Sequence, residues 1–112
     1  LQMLGGVLDA KLCLGDIPQL PGAADLCAAG VWPGGSARNR EAASRFVSSD
    51  DADSDDARYP LLFDAQTSGG LLIAVAAEKV GRLVEELRAA GDSEAAQIGE
   101  LNEGTGMIEV AA

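Results

Sequence analysis

The stretch Leu62-Phe63-Asp64-Ala65-Gln66-Thr67-Ser68-Gly69-Gly70-Leu71-Leu72-Ile73-Ala74-Val75 constrains this chain most, because a dense polar turn with paired glycines runs straight into an apolar run of strand length. Gly69 and Gly70 permit positive φ and close backbone approach, while Gln66, Thr67 and Ser68 add amide and hydroxyl groups beside exposed N–H donors. Such a turn can hold an oxyanion or the edge of a nucleotide. It can equally be a tight turn whose hydroxyls satisfy their own backbone, and residue types alone leave both readings open.

A chain of 112 residues fits one small domain, residues 1–112, with one core of helices against a sheet. The net charge of −10, from 18 acidic against 8 basic residues, disfavours nucleic acid or an anionic membrane as partner, since both call for clustered Lys and Arg. Only Cys13 and Cys27 carry thiols and histidine is absent, so a zinc site is not expected; both cysteines read as small buried side chains in a reducing cytoplasm. No secretory leader and no apolar run of membrane-spanning length is evident. The opening Leu1-Gln2-Met3-Leu4, followed by Gly5-Gly6, reads as the last turn of a helix, which suggests a piece of a longer chain.

Alternation over Val7–Leu14, with Leu8, Ala10, Leu12 and Leu14 apolar, predicts a half-buried strand. Gly22 to Ala29 predicts a short helix closed by Gly30, with Pro18 and Pro21 near its first turn. Val31-Trp32-Pro33-Gly34-Gly35-Ser36 is a turn leading to Ser36 as candidate N-cap of an Arg-rich helix, on which Asn39 faces a site, faces solvent or ties down a neighbouring loop. Ser48 to Arg58 carries Asp50, Asp51, Asp53, Asp55 and Asp56, and the spacing Asp51-x-Asp53-x-Asp55 imitates the start of a calcium loop. The imitation fails where such a loop needs glycine and glutamate, because Asp56 and Leu62 stand there, so a solvated acidic loop is expected. Gly70–Ala76 predicts a central strand and Glu78–Ala90 a helix closed by Gly91. Ala95–Leu101 and Met107–Val110 predict two strands joined as a hairpin by Glu103-Gly104-Thr105-Gly106. The predicted class is α+β, a mixed sheet covered by helices.

No catalytic set is complete: there is no histidine base, no P-loop lysine pattern and no activated cysteine, so neither a catalytic residue nor a metal ligand set is assigned. Asp64 is the best single polar candidate, either orienting the turn or binding a hydrated magnesium ion.

Four segments together resemble the selenophosphate synthetases, or selenide, water dikinases: Ile17-Pro18-x-Leu20-Pro21-Gly22-Ala23, Pro33-Gly34-Gly35-Ser36-x-x-Asn39, Asp64-x-Gln66-Thr67-Ser68-Gly69-Gly70-Leu71-Leu72, and Ile98-Gly99-Glu100. Ser36 replaces the family's usual threonine, which preserves the hydroxyl, and Ala65 replaces its proline, which leaves the turn less preorganised. The resemblance implies the C-terminal domain of a protein like the aminoimidazole ribonucleotide synthetases, without the N-terminal ATP-binding domain. The whole enzyme would make selenophosphate from selenide, ATP and water with magnesium, releasing AMP and phosphate in the cytoplasm. On that resemblance Asn39, Asp64, Gln66, Thr67, Ser68, Gly69 and Gly70 form one wall of a composite cleft. Mg and ATP would belong to the whole enzyme, the chain alone is expected to be inactive and to bind neither tightly, and its partner would be the N-terminal domain. The alternative is a stand-alone binding or assembly module that pairs with itself as a homodimer through apolar Leu1, Met3 and Leu4.

Overall fold

The computed structural model describes residues 1–49 and 55–112, so the reading of Asp50, Asp51 and Asp53 as a solvated loop lies outside the described residues. The first strand forms where the alternation predicts it: β1 spans Leu8–Cys13, with Ala10 buried and Lys11 exposed. Helix α1 (Ala23–Ala28) and helix α2 (Gly34–Ala43) follow, then β2 (Val47–Ser49), helix α3 (Val80–Ala89), β3 (Gly99–Glu103) and β4 (Ile108–Ala111). Both glycines predicted to stop helices do so at positive φ, 79° at Gly30 and 109° at Gly91. In each case the next amide reaches back to the last turn, Val31 N–H to Leu26 O at 2.9 Å and Asp92 N–H to Leu87 O at 3.0 Å, which satisfies carbonyls left over at the helix end.

The four strands form one mixed sheet in the order β2-β4-β1-β3. Strand β1 is parallel to β4, with Ala10 opposite Ile108, and antiparallel to β3, with Ala10 opposite Leu101. The α+β class is as the pattern predicts, but the expected β3–β4 hairpin does not form, because β1 lies between the two strands. The connection crosses the start of β1 instead of folding back on itself. Asp9 makes this crossing stable: its Oδ1 accepts the N–H groups of Thr105, Gly106 and Met107 at 2.8, 2.9 and 2.8 Å. Further bonds from Gly104 N–H to Val7 O (3.0 Å) and Gly106 N–H to Leu8 O (3.1 Å) fasten the connection across the strand. A side chain at Gly104 would collide with the Asp9 carboxylate, so the close approach itself demands glycine there.

The core sits where the sheet meets the 3-10 turn Tyr59–Phe63: Leu14, Tyr59, Phe63 and Val110 are buried together, and Ala43, Val47, Leu62 and Ile108 pack around them. The Tyr59 and Phe63 rings meet edge to face at 5.5 Å, and the Arg40 guanidinium of α2 lies 5.3 Å from the Tyr59 ring centre. Each such apolar side chain contributes roughly 2 kcal/mol on full burial. This turn therefore anchors the polar segment that begins at Asp64 to both α2 and the sheet.

The central strand expected at Gly70–Ala76 is also absent. Residues 69–76 make no ladder, and Leu71, Leu72 and Ile73 are 93, 62 and 50% exposed. Apolar character provides the motive for burial but not a partner, and the middle of the sheet is already filled by β1 and β4. Ala95–Ile98, expected to begin the next strand, likewise lies outside β3. The apolar stripe of α3, Val80, Leu83, Val84 and Leu87, is half-buried.

Candidate functional site

Helix α2 starts one turn earlier than its sequence suggests. Pro33 occupies the N-cap at φ −63° and ψ 140°, so Ser36 falls inside the first turn and is not the capping residue. Its hydroxyl is thereby freed for a longer-range role. Ser36 is fully buried, its Oγ donates to Asp64 Oδ1 at 3.2 Å, and the same Oγ accepts the N–H of Ala65 at 3.2 Å. One helical turn further on, Asn39 Nδ2 donates to the carbonyl of Phe63 at 3.1 Å. Positions three apart lie on one helix face, so Ser36 and Asn39 clamp consecutive peptide units of the Phe63-Asp64-Ala65 segment. Asn39 thus ties down the neighbouring loop, one of the readings its sequence leaves open.

Asp64 orients the turn, with both carboxylate oxygens engaged: Oδ1 by Ser36 and Oδ2 by Gln66 Nε2 at 3.3 Å. The approach is close, since a methyl group at Gly35 would come within 3.0 Å of the Ala65 Cβ, and one at Gly69 within 2.9 Å of Gln66 Oε1. Gly69 and Gly70, expected to exploit positive φ, do not adopt it; a methyl group at Gly69 would press on Gln66 Oε1, whereas one at Gly70 would meet open space. Thr67, Ser68, Gly69 and Gly70 are exposed, and among the described residues no side-chain hydrogen bond is made by Thr67 or Ser68. The seven predicted site residues therefore divide. Asn39, Asp64 and Gln66 belong to a bonded junction, whereas Thr67, Ser68, Gly69 and Gly70 extend from it into solvent.

Ser36 is the member that sequence reasoning left out of the site. The Ser36-x-x-Asn39 spacing was the available signal, since it puts both polar groups on one face. Elsewhere, Arg58 closes on Asp56 with Nη2 to Oδ2 at 2.6 Å and Nε to Oδ1 at 3.0 Å, while the Arg58 N–H reaches Oδ1 at 2.8 Å. The guanidinium hydrogen bond, then the backbone one, lowers the Asp56 carboxyl from 3.8 to about 2. Asp9 is likewise held below its ordinary value, first by the N–H of Met107, then by that of Thr105 and more weakly by Gly106.

Two shallow depressions open on the sheet. One, of about 450 Å³, is lined by Lys11, Cys13, Asp16, Gln97, Gly99 and Glu100. The other, about 440 Å³, lies over Asp9, Lys11, Ser48, Asn102 and Glu109, where Lys11 Nζ pairs with Glu109 at 3.3 Å. Cys13 and Cys27 are free thiols, half-buried and not fully enclosed. Among the described residues no three Cys, Asp or Glu side chains gather as a metal site, and no helix is long and apolar enough to cross a membrane.

No protein-family model matches the chain. Curated relatives do. The chain is 39% identical over 106 residues to a selenide, water dikinase of Paraburkholderia xenovorans (strain LB400), which covers 95% of this chain and 30% of that protein. It is 43% identical over 93 residues to one of Pelobacter propionicus, covering 83% of the chain and 26% of the relative. With a Shewanella sp. (strain MR-4) selenide, water dikinase it shares 41% over 85 residues, or 76% and 23%. The chain thus spans 30% or less of the length of these relatives.

Proposed function

Because this chain belongs, as one segment, with the selenide, water dikinases, we propose that it is their C-terminal domain and supplies one wall of a composite site for making selenophosphate. The observation that carries this reading is the junction at Ser36: the two polar motifs, far apart in sequence, meet through Ser36 Oγ and Asp64 Oδ1. A clamp of this kind fixes the base of the Gln66–Gly70 turn and leaves its hydroxyls and amides at the tip to meet a ligand. Phosphoryl transfer depends on positioning and on neutralising charge. A wall of neutral donors fits the first task. The second falls to the remainder of the enzyme, since the chain carries −10 overall.

Thr67 and Ser68, with the amides around Gly69 and Gly70, fit the edge of a phosphate or nucleotide. Asp64 offers a magnesium ion little, because both of its oxygens already accept hydrogen bonds and, among the described residues, no acidic cluster stands beside it. In this reading ATP and magnesium are held chiefly by the N-terminal domain, the chain alone is inactive, and the reaction takes place in the cytoplasm.

The test is a chimera in which this chain replaces the homologous segment of the Paraburkholderia xenovorans relative, with AMP release from ATP followed in the presence of selenide. The expected result is turnover by the chimera and a loss of at least about tenfold on combining Thr67→Ala with Ser68→Ala, the scale of about 1.4 kcal/mol in transition-state binding. Undiminished turnover in that double variant would remove the turn from the site.

A second reading is the assembly module without catalysis, expected to pair through Leu1, Met3 and Leu4; Leu1 and Met3 are exposed, but Leu4 is buried in the chain's own core and so is not free for a partner. It requires a concentration-dependent homodimer, and sedimentation showing a monomer across a wide concentration range counts against it.

A further inference from the structure

We propose, in a step that rests on the composite-site reading, that Gln66 is a specificity-determining residue, oriented by Asp64 so that its Oε1 accepts a hydrogen bond from an O–H or N–H group of the ligand. The geometry runs outward from the interior in three steps. Ser36, fully buried, donates to Asp64 Oδ1 at 3.2 Å and accepts the Ala65 N–H at 3.2 Å. Half-buried Asp64 is thereby fixed, and its second oxygen accepts Gln66 Nε2 at 3.3 Å. Gln66 itself is exposed. A glutamine in such a position ordinarily spreads over many rotamers and loses them when a ligand binds. This one is held beforehand, and at one end of its amide only.

Which end is held decides what the other end can take. A carboxylate accepts hydrogen bonds and donates none, so the amide nitrogen faces Asp64 and the amide oxygen faces away. That oxygen lies over Gly69, where a methyl group would come within 2.9 Å of it. Glycine leaves it uncovered, and among the described residues no hydrogen bond reaches it.

Polarity then separates Gln66 from the rest of the turn. Thr67, Ser68 and the amides around Gly69 and Gly70 can donate to phosphate oxygens, whereas an uncovered carbonyl oxygen repels them. A ligand that satisfies both has acceptors for the tip and a donor for Gln66. A nucleoside phosphate carries the donor in its base amine or its ribose hydroxyls. The water that attacks in phosphoryl transfer carries one too, and a glutamine amide is suited to orient it. Ser36 and Asp64 touch no ligand in this arrangement; they are positioning residues that act through Gln66.

The test exchanges the two side chains in the Paraburkholderia xenovorans chimera and follows AMP release from ATP with selenide. Asp64→Asn supplies a donor at residue 64, which turns the Gln66 oxygen inward and its nitrogen toward the ligand; Gln66→Glu sets two carboxylates against each other. Each should lower kcat/KM about tenfold, the scale of one hydrogen bond. With both exchanges, the amide at 64 donates to the carboxylate at 66 and an acceptor over Gly69 returns, so recovery to within about threefold of the parent is expected of a coupled pair. If the nucleotide carries the donor, the effect vanishes with inosine triphosphate, which lacks the base amine, or with 2′-deoxy-ATP; if water carries it, kcat falls alike with every nucleotide. Should the exchange at Asp64 unfold the protein, Gly69→Ala displaces the same oxygen without touching the carboxylate and should cost a similar factor. Unchanged kcat/KM in Gln66→Ala, or a folded double variant no better than the single ones, overturns the proposal, and leaves the composite site standing if Thr67→Ala with Ser68→Ala still loses turnover. In the chain alone, the NMR resonance of the Gln66 side-chain amide should shift in Asp64→Asn, and a resonance at the free-glutamine position in the unaltered chain would overturn the proposal whatever the chimera does.

Discussion

Two glycine-rich turns of this chain have nearly the same vocabulary and opposite fates. Gly104-Thr105-Gly106 and Ser68-Gly69-Gly70 both combine a hydroxyl with paired glycines and both lead into an apolar strand-like run. In the first, three successive N–H groups are spent on Asp9. In the second, among the described residues, the side-chain hydrogen bonds stop at Gln66, and the residues beyond are exposed. A turn filled from within is architecture, and one left open is available for a ligand. What separates them is an aspartate nearly a hundred residues away, which no local reading of the turn contains.

The sharpest way to break the comparison is to spoil the filled turn. Gly104→Ala forces a methyl group into the Asp9 carboxylate, and should destabilise the chain by about 3 kcal/mol, the upper range for overpacking, read as a fall in the denaturation midpoint. The same turn responds to acid. Asp9 and Asp56 both have native carboxyls below the ordinary 3.8, Asp56 at about 2, so the unfolded chain takes up protons first as the pH falls. Their contribution is complete above about pH 4 and disappears as pH drops toward 2. A melting midpoint that declines over this window, and declines less in Asp9→Asn and in Asp56→Asn, is the expected outcome.

The open turn is sensitive only at its base. Ser36→Ala leaves the Ala65 N–H and one oxygen of Asp64 without their partner at a fully buried position, a loss of about 2 kcal/mol. Asn39→Ala removes one bond to the Phe63 carbonyl and should lose about 1 kcal/mol. Chemical denaturation of both variants, with the slope unchanged, would place the clamp in the folded state.

Those magnitudes also mark what could be read from the sequence. Period and capping were legible because they are local: β1, the ends of α1 and α3 at Gly30 and Gly91, and most of β4 lie where alternation and glycine put them. The motif residues were legible as a set, and Asn39, Asp64 and Gln66 do converge. Three features were not legible. Ser36 carried the signature of a helix cap, and only the placement of Pro33 one turn earlier freed its hydroxyl for Asp64. The hairpin signal at Gly104 was a real turn signal, but pairing depends on which strand lies alongside, and Asp9 settles that from the other end of the chain. The Gly70–Ala76 run was apolar enough for a strand, yet a ladder requires a second backbone as well as a hydrophobic motive.

The smallest expected effect is the most discriminating. Thr67→Ala and Ser68→Ala act beyond the clamp, at exposed positions whose side chains make no hydrogen bond among the described residues. Each should change the stability of the isolated chain by less than about 0.5 kcal/mol. Gly69→Ala belongs with them, because the atom its methyl would meet, Gln66 Oε1, is the far end of a flexible side chain that can swing away. If the two hydroxyl variants instead cost as much as Ser36→Ala, the turn is closed by contacts of its own. It would then be a second piece of architecture like the Asp9 crossing, with no donors to spare. If stability is untouched while turnover in the chimera falls, the hydroxyls are held in reserve for something the chain does not itself contain, and the contrast between the two turns becomes a contrast between fold and function.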